Sequence, residues 1–289
     1  MKILVTGAGG LVGGETTKYC SNIGDAVVAL TRTELDIADN AAVSLVLERE
    51  KPDSVINCAA WTDVDGCETD TQKNFAVNAS GVENLALGCR RIGANFVTIS
   101  TDYVFDGAKK DFYTQRDDPN PQSEYGKAKL KGEHLAAASL ARAVVVRSGW
   151  IFGLDGKNFL SKMPQLLIEG KAIKAIADST GTPTFAPDLA KRLRELAELD
   201  LPGIYHVTNS GVGTTYAGFA QKIAEIIAPL INQNLIENVS FADLQRPAPR
   251  PQNSKLRCLI SEKFGLQPLP DWETALTLFI AQAAKKSQA

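Results

Sequence analysis

The chain has 289 residues, 44% of them hydrophobic and 22% charged, with 31 Lys+Arg against 33 Asp+Glu for a net charge of −2. At about 150 residues per domain this length suggests two domains, and the composition excludes a mainly disordered chain. Mixed charge gives no basic footprint, so nucleic acid is not expected as a partner. The five cysteines (Cys20, Cys58, Cys67, Cys89 and Cys258) never form a C-x-x-C pair, and only His134 and His206 could join them, so no metal site is expected. Glycines interrupt the apolar start before any signal-peptide core forms, and no stretch is long enough to span a membrane. A cytoplasmic protein is expected.

Short β-branched runs alternate with helical spacing along the chain. Strands are predicted at Lys2–Thr6, Ala26–Leu30, 54–58, 95–100 and 143–147. They are continuous apolar runs without in/out alternation, as parallel strands covered on both faces should be. Helices are predicted between them at 15–23, 41–50, 74–92 and 124–141. A βαβαβ order of this kind implies an α/β protein with a Rossmann-like, doubly wound parallel sheet. Near Trp150 the strand rhythm is lost until about Pro187, and a further strand at 203–207 returns to the sheet. A helix at Tyr216–Ile227, a proline-dense loop at 246–254 and a last helix at 272–284 complete the pattern. Residues 1–149, completed by about 186–209, read as a nucleotide-binding domain. Residues 150–185 and 210–289 read as a smaller, mainly C-terminal substrate lobe.

The first strand runs directly into Gly7-Ala8-Gly9-Gly10-Leu11-Val12-Gly13. Gly7, Gly10 and Gly13 have the spacing of a dinucleotide loop. Gly7 allows the tight turn, Gly10 a close backbone approach and Gly13 the packing of helix on strand. Leu11, Val12 and Gly13 then open a helix whose N-terminus favours a pyrophosphate. After the second strand comes Thr31-Arg32-Thr33-Glu34-Leu35-Asp36-Ile37. Arg32 is placed for a 2′-phosphate and favours NADPH, with NADH as the alternative; a solvated loop arginine is the competing reading. Asp36 and Ile37 are placed to line an adenine pocket.

Tyr125 and Lys129 stand four residues apart, on one helical face. The fourth strand ends in Ser100-Thr101, at the carboxyl edge where open parallel sheets bind ligands. A hydride delivered to a ketone leaves a developing alkoxide, which needs a proton. A free tyrosine is a weak acid with a pKa near 10, and a neighbouring ammonium lowers that value. Tyr125 as acid, Lys129 as its charge partner and Thr101 on the carbonyl oxygen make hydride transfer the leading chemistry.

These residues, together with Asn57-Cys58-Ala59-Ala60-Trp61-Thr62-Asp63-Val64-Asp65, Ser100-Thr101-Asp102-Tyr103-Val104-Phe105, Arg147-Ser148-Gly149-Trp150, Asn158-Phe159, Gly181-Thr182-Pro183-Thr184 and Arg250-Pro251-Gln252-Asn253-Ser254, resemble the dTDP-4-dehydrorhamnose reductase family of extended short-chain dehydrogenases/reductases nearly end to end. The resemblance implies reduction of the C4 keto group of a dTDP-6-deoxy-hexulose, with Thr101, Tyr125 and Lys129 catalytic. It implies that Val64, Asp102, Tyr103, Trp150 and Asn158 line the sugar site and that Arg250 faces the diphosphate. Ala59, Ala60, Trp61 and Ser100 would touch the cofactor, and the partner would be a small nucleotide sugar, with a homodimer as the compatible assembly. The chain departs from the pattern at Cys58, where Ala is usual, at Ser179, where Gln usually follows the Asp, and at Trp61. A dehydratase would carry a second acid after Asp102, where Tyr103 stands. An epimerase shares the Tyr and Lys, and a regulatory NADP-binding subunit would keep the fold without turnover.

Overall fold

The computed structural model describes residues 1–228 and 235–286. Residues 229–234 and 287–289, which belong to the expected second lobe, lie outside the described residues. In chain order the first half runs β1 (Lys2–Thr6), α1 (Leu11–Asn22), β2 (Ala26–Leu30), α2 (Asn40–Glu50), β3 (Ser54–Asn57), α3 (Val64–Thr69), α4 (Thr71–Phe75), α5 (Gly81–Ile92), β4 (Asn95–Thr101), α6 (Glu124–Ser139) and β5 (Ala143–Ser148). The second half adds β6 (Ile151–Phe152), α7 (Phe159–Ile168), β7 (Ile173–Ile176), β8 (Thr180–Gly181), β9 (Thr184–Phe185), α8 (Ala186–Leu199), β10 (Gly203–His206), β11 (Thr214–Thr215), α9 (Tyr216–Ile227), β12 (Ile236–Val239) and α10 (Trp272–Lys286).

The apolar runs form one parallel sheet in the order β10-β5-β4-β3-β1-β2. Its inner strands β1, β3, β4 and β5 bury both faces, which is why they carry no polar alternation. Ile3, Val5, Ile56, Val97, Val144 and Val146 pack against α1 and α8 through Cys20, Leu189, Leu193 and Leu196. Leu4, Val55 and Phe96 point the other way, onto Val43, Leu47, Leu85, Cys89 and Ala136 of α2, α5 and α6. The chain leaves β1 toward β2, then crosses back to β3 on the far side of β1. This reversal opens a crevice at the carboxyl ends of β1 and β3.

A third core is separate from the sheet. Phe152, Met163, Leu167, Phe185, Phe219, Ile223, Leu276 and Phe279 bring β6, α7, β9, α9 and α10 together. Phe152 lies at its centre, with ring centroids 5.4, 5.2 and 5.5 Å from Phe185, Phe219 and Phe279. Aromatic pairs at such distances add stabilisation beyond the area they bury.

Two stretches differ from the sequence expectation. The single helix predicted at 74–92 is α4, a π-helical turn at Ala76–Ser80 and then α5. The wider turn sets Asn78 to bond the backbone of Trp61 at both N–H (3.1 Å) and C=O (2.9 Å), the structural role its burial demands. The stretch from Trp150 to Pro187, expected to lack strand rhythm, holds four strands of two to four residues, too short to leave a period. Among the described residues no helix is long and apolar enough to cross a membrane.

Candidate active site

The turn after β1 needs glycine at two positions. Gly7 has φ +68°, and a Cβ there would lie 2.6 Å from the Ala59 amide nitrogen. A Cβ on Gly13 would lie 2.2 Å from the Gly7 carbonyl oxygen, so α1 could not close on β1. Gly10, the N-cap of α1, is extended and offers no capping side chain. The helix therefore directs amide groups and the positive end of its dipole into the crevice, where an anionic group fits. Leu11, Val12 and Gly13 line a cavity of about 530 Å³ that extends over the ends of β3, β4 and β5.

A second hollow of about 390 Å³ adjoins it, walled by Gly7, Gly10, Arg32, Asp36, Ile37, Ala59, Ala60 and Trp61. The structure thus brings all the expected cofactor residues around these two spaces. Arg32 is exposed and forms no ion pair with any described residue, so its charge is available. Asp36 turns one carboxylate oxygen to the Ala38 amide, 3.0 Å away. Thr31, Thr33 and Val77 complete the wall.

Thr101 ends β4, and α6 brings Tyr125 and Lys129 to the same cavity; all three are buried. Ser123 caps α6 through the Gly126 amide (3.1 Å), which fixes where the helix begins and hence where Tyr125 points. Lys129 Nζ donates to the Ile99 carbonyl at 2.7 Å, its only hydrogen bond among the described residues, which leaves two donors uncommitted. Burial pushes Lys129 down to about 8, while the charge of Glu133 works the other way. Burial pushes the Tyr125 phenol up, and the Thr101 hydroxyl beside it opposes this. In the ligand-free protein burial is thus the largest influence on Tyr125.

Asp102 is 2% exposed. One oxygen accepts from Thr101 Oγ1 at 3.1 Å, and the other has no hydrogen-bond partner among the described residues. Burial raises its carboxyl to about 6, with the Ser254 and Thr101 hydroxyls opposing the shift. Gly149 leaves room for it, since a Cβ there would lie 2.3 Å from the carboxyl carbon.

The far wall comes from the second core. Trp150 adopts φ +51° and stacks on Tyr216 at 4.0 Å, and its indole donates to Ser254 at 3.2 Å. Tyr103 meets Tyr125 edge-on at 5.8 Å. Val64 and Asn158 also line the cavity. Asn158, however, spends its amide on the Ile151 carbonyl and the Ser161 N–H, as the cap of α7. Ser100 spends its hydroxyl on Glu133. Arg250 pairs with both oxygens of Asp65 at 3.0 and 2.9 Å and still borders the cavity. Tyr216, Phe159, Ser254 and Arg246 were not foreseen as wall residues. Of these, Phe159 and Ser254 stand in motifs that carry the family resemblance and Arg246 in the proline-rich loop beside Arg250, whereas Tyr216 depends on how the second core folds.

Comparison with known proteins follows the same outline. A family model described as "RmlD substrate binding domain" matches residues 1–285. The chain is 37% identical to the dTDP-4-dehydrorhamnose reductase of Mycobacterium tuberculosis, over 99% of this chain and 94% of that one. A dTDP-4-dehydrorhamnose reductase structure from Clostridium acetobutylicum superposes with a TM-score of 0.92 at 36% identity, covering 98% of this chain and 100% of that one. One from Bacillus anthracis, in complex with NADP, gives 0.91 at 31% identity, covering 97% and 99%. With relatives this similar along nearly their whole length, the chain belongs to the dTDP-4-dehydrorhamnose reductase family.

Proposed function

We propose that the protein reduces the C4 keto group of dTDP-4-dehydrorhamnose to give dTDP-rhamnose, using NADPH. The observation that carries this reading is the convergence of Thr101, Tyr125 and Lys129 on one cavity, beside the uncapped start of α1. The B. anthracis relative with NADP supports the choice of cofactor. The Gly7–Gly13 turn and the first amides of α1 would hold its pyrophosphate, Arg32 its 2′-phosphate, and Asp36, Ile37, Ala59, Ala60 and Trp61 the adenosine side. Bound NADPH supplies the hydride.

The chain's own residues do the rest. Tyr125, a phenol that is neutral at ordinary pH, gives its proton to the ketone oxygen as that oxygen gains charge, and solvent later restores the proton. Thr101 donates to the same oxygen once its hydroxyl turns from Asp102. Lys129 stabilises the phenolate that the transfer leaves. Trp150, Tyr216 and Tyr103 present flat apolar faces to the sugar, Val64 adds an apolar edge, and Asp102 offers an acceptor to a hydroxyl. Arg250 faces the diphosphate, suited to it by its forked donors.

We divide the chain into a cofactor domain, 1–149 with about 186–209, and a substrate lobe, 150–185 with 210–289. The separate aromatic core around Phe152 and the return of β10 to the sheet support this division. The reading places the enzyme in the cytoplasm and is compatible with a homodimer. The test is incubation with NADPH and dTDP-4-dehydrorhamnose. Sugar-dependent loss of NADPH absorbance with formation of dTDP-rhamnose is expected. NADPH binding without oxidation would overturn the reading.

A further inference from the structure

Behind the cavity lies a charged cluster that the mechanism above does not use. Glu133 stands one helical turn after Lys129 on α6, and Arg147 lies on β5 directly across from Ser100 of β4. Arg147 grips the Glu133 carboxylate with Nε at 3.0 and 3.2 Å and Nη2 at 2.7 Å, and Ser100 donates its hydroxyl to the same group. Glu133, Arg147 and Ser100 are 4%, 3% and 5% exposed. The guanidinium lies over the Phe105 ring at 5.1 Å. Stability alone does not account for such a pair, because desolvating two charges costs about as much as their attraction returns.

We propose that Glu133 is a positioning residue for the reduction: it holds Ser100, and with it the Thr101 end of β4, and it sets a negative charge one helical turn from the Lys129 ammonium. The proposal rests on the keto-sugar reductase reading. The surroundings of Lys129 single out Glu133. On α6 the other titratable neighbour is Tyr125, whose phenol stays neutral. From the loop after β3 comes Cys58, whose thiol burial pushes up to about 12 and leaves uncharged. Asp102, after β4, turns to Thr101 and acts on Tyr125. On α3, Glu68 is taken by the Glu124 amide at 2.8 Å, and Lys73 of α4 lies over Trp61. Glu83 of α5 makes no hydrogen bond to Lys129. Arg147 of β5 and His206 beside it on β10 lie behind Glu133, and His206 is held neutral, down to about 4, by burial and the arginine. Glu133 is thus the carboxylate that offsets the burial of Lys129.

The experiment is a titration of the cofactor-free protein labelled with ¹³C at lysine Cε, with the resonance of Lys129 assigned by its loss in Lys129→Arg. Alongside it, kcat/KM is measured against pH for reduction of dTDP-4-dehydrorhamnose. In wild type one lysine titrates near 8, far below ordinary lysines. In Glu133→Gln that titration and the basic limb of kcat/KM both move down by about one pH unit, the usual effect of one nearby charge. Glu133→Asp, which keeps the charge, restores most of the limb. If the single variant does not fold, Glu133→Gln/Arg147→Gln leaves no unpaired buried charge and moves the limb the same way, since Glu133, one helical turn from Lys129, is the charge that acts on it. A variant that folds and loses rate equally at every pH, with the Lys129 titration unmoved, overturns the proposal. Wild type without turnover would instead count against the reductase reading, and the titration in the cofactor-free protein would still decide the role of Glu133.

Discussion

The carboxyl of Asp102 sits under Gly149 with one oxygen unpartnered among the described residues, and burial raises it from 3.8 to about 6. A raised acid favours the folded state when protonated. The contribution is therefore fully present below pH 3.8 and is lost as pH rises through about 6. Asp102→Asn should remove that loss, stabilising the ligand-free protein by up to about 3 kcal/mol near neutral pH, with the gain vanishing near pH ~4. Denaturant unfolding across that range checks it; a gain independent of pH would rule out ionisation as the cause. Such strain is common where a site keeps a polar group ready for a ligand. Arg32 makes a second test at this scale. Its exposed, unpaired charge predicts that Arg32→Ala weakens NADPH by about 10- to 100-fold, the value of one charged hydrogen bond, and NADH hardly at all. Equal losses for both, measured by fluorescence titration, would remove Arg32 from the cofactor site.

Among the elements, β8 has an effect out of proportion to its two residues. A Cβ on Gly181 would lie 2.1 Å from the Trp150 indole, which already adopts φ +51° and stacks on Tyr216. Gly181→Ala should push the indole off its place, at a cost of about 1–3 kcal/mol, or roughly 5- to 100-fold in KM for the keto sugar. NADPH affinity should hold, because the glycine turn lies on the other side of the cavity. A loss shared by both ligands would show that β8 supports the whole fold instead of one wall. This is also the scale at which sequence reading fails unevenly. β1, β3, β4 and β5 were visible because strands buried on both faces must be continuously apolar, and the turn at Gly7–Gly13 because its backbone excludes side chains at Gly7 and Gly13. β6, β8 and β9 are too short to carry a period. The π-helical turn at Ala76–Ser80 has no pattern of its own, since an apolar helix and one with a single wide turn bury similar faces.

For the whole molecule, the reversal of strand order between β1 and β3 places the ends of four strands around one crevice, and the Phe152 core sets Trp150 and Tyr216 opposite them. The meeting of Tyr125 and Lys129 at one cavity was legible because their spacing puts both on one helical face. Tyr216 was not, because an aromatic at the start of a helix looks the same whether it faces a core or a cavity. The engagement of Arg250 by Asp65, 185 residues away in sequence, was also beyond reach. The account stands most directly on one side chain. With saturating NADPH and dTDP-4-dehydrorhamnose, turnover should fall by about 10²- to 10⁴-fold in Tyr125→Phe, the scale of losing a general acid, while both ligands still bind. A variant that turns over as fast as wild type would contradict the assignment of the proton donor and the mechanism built on it.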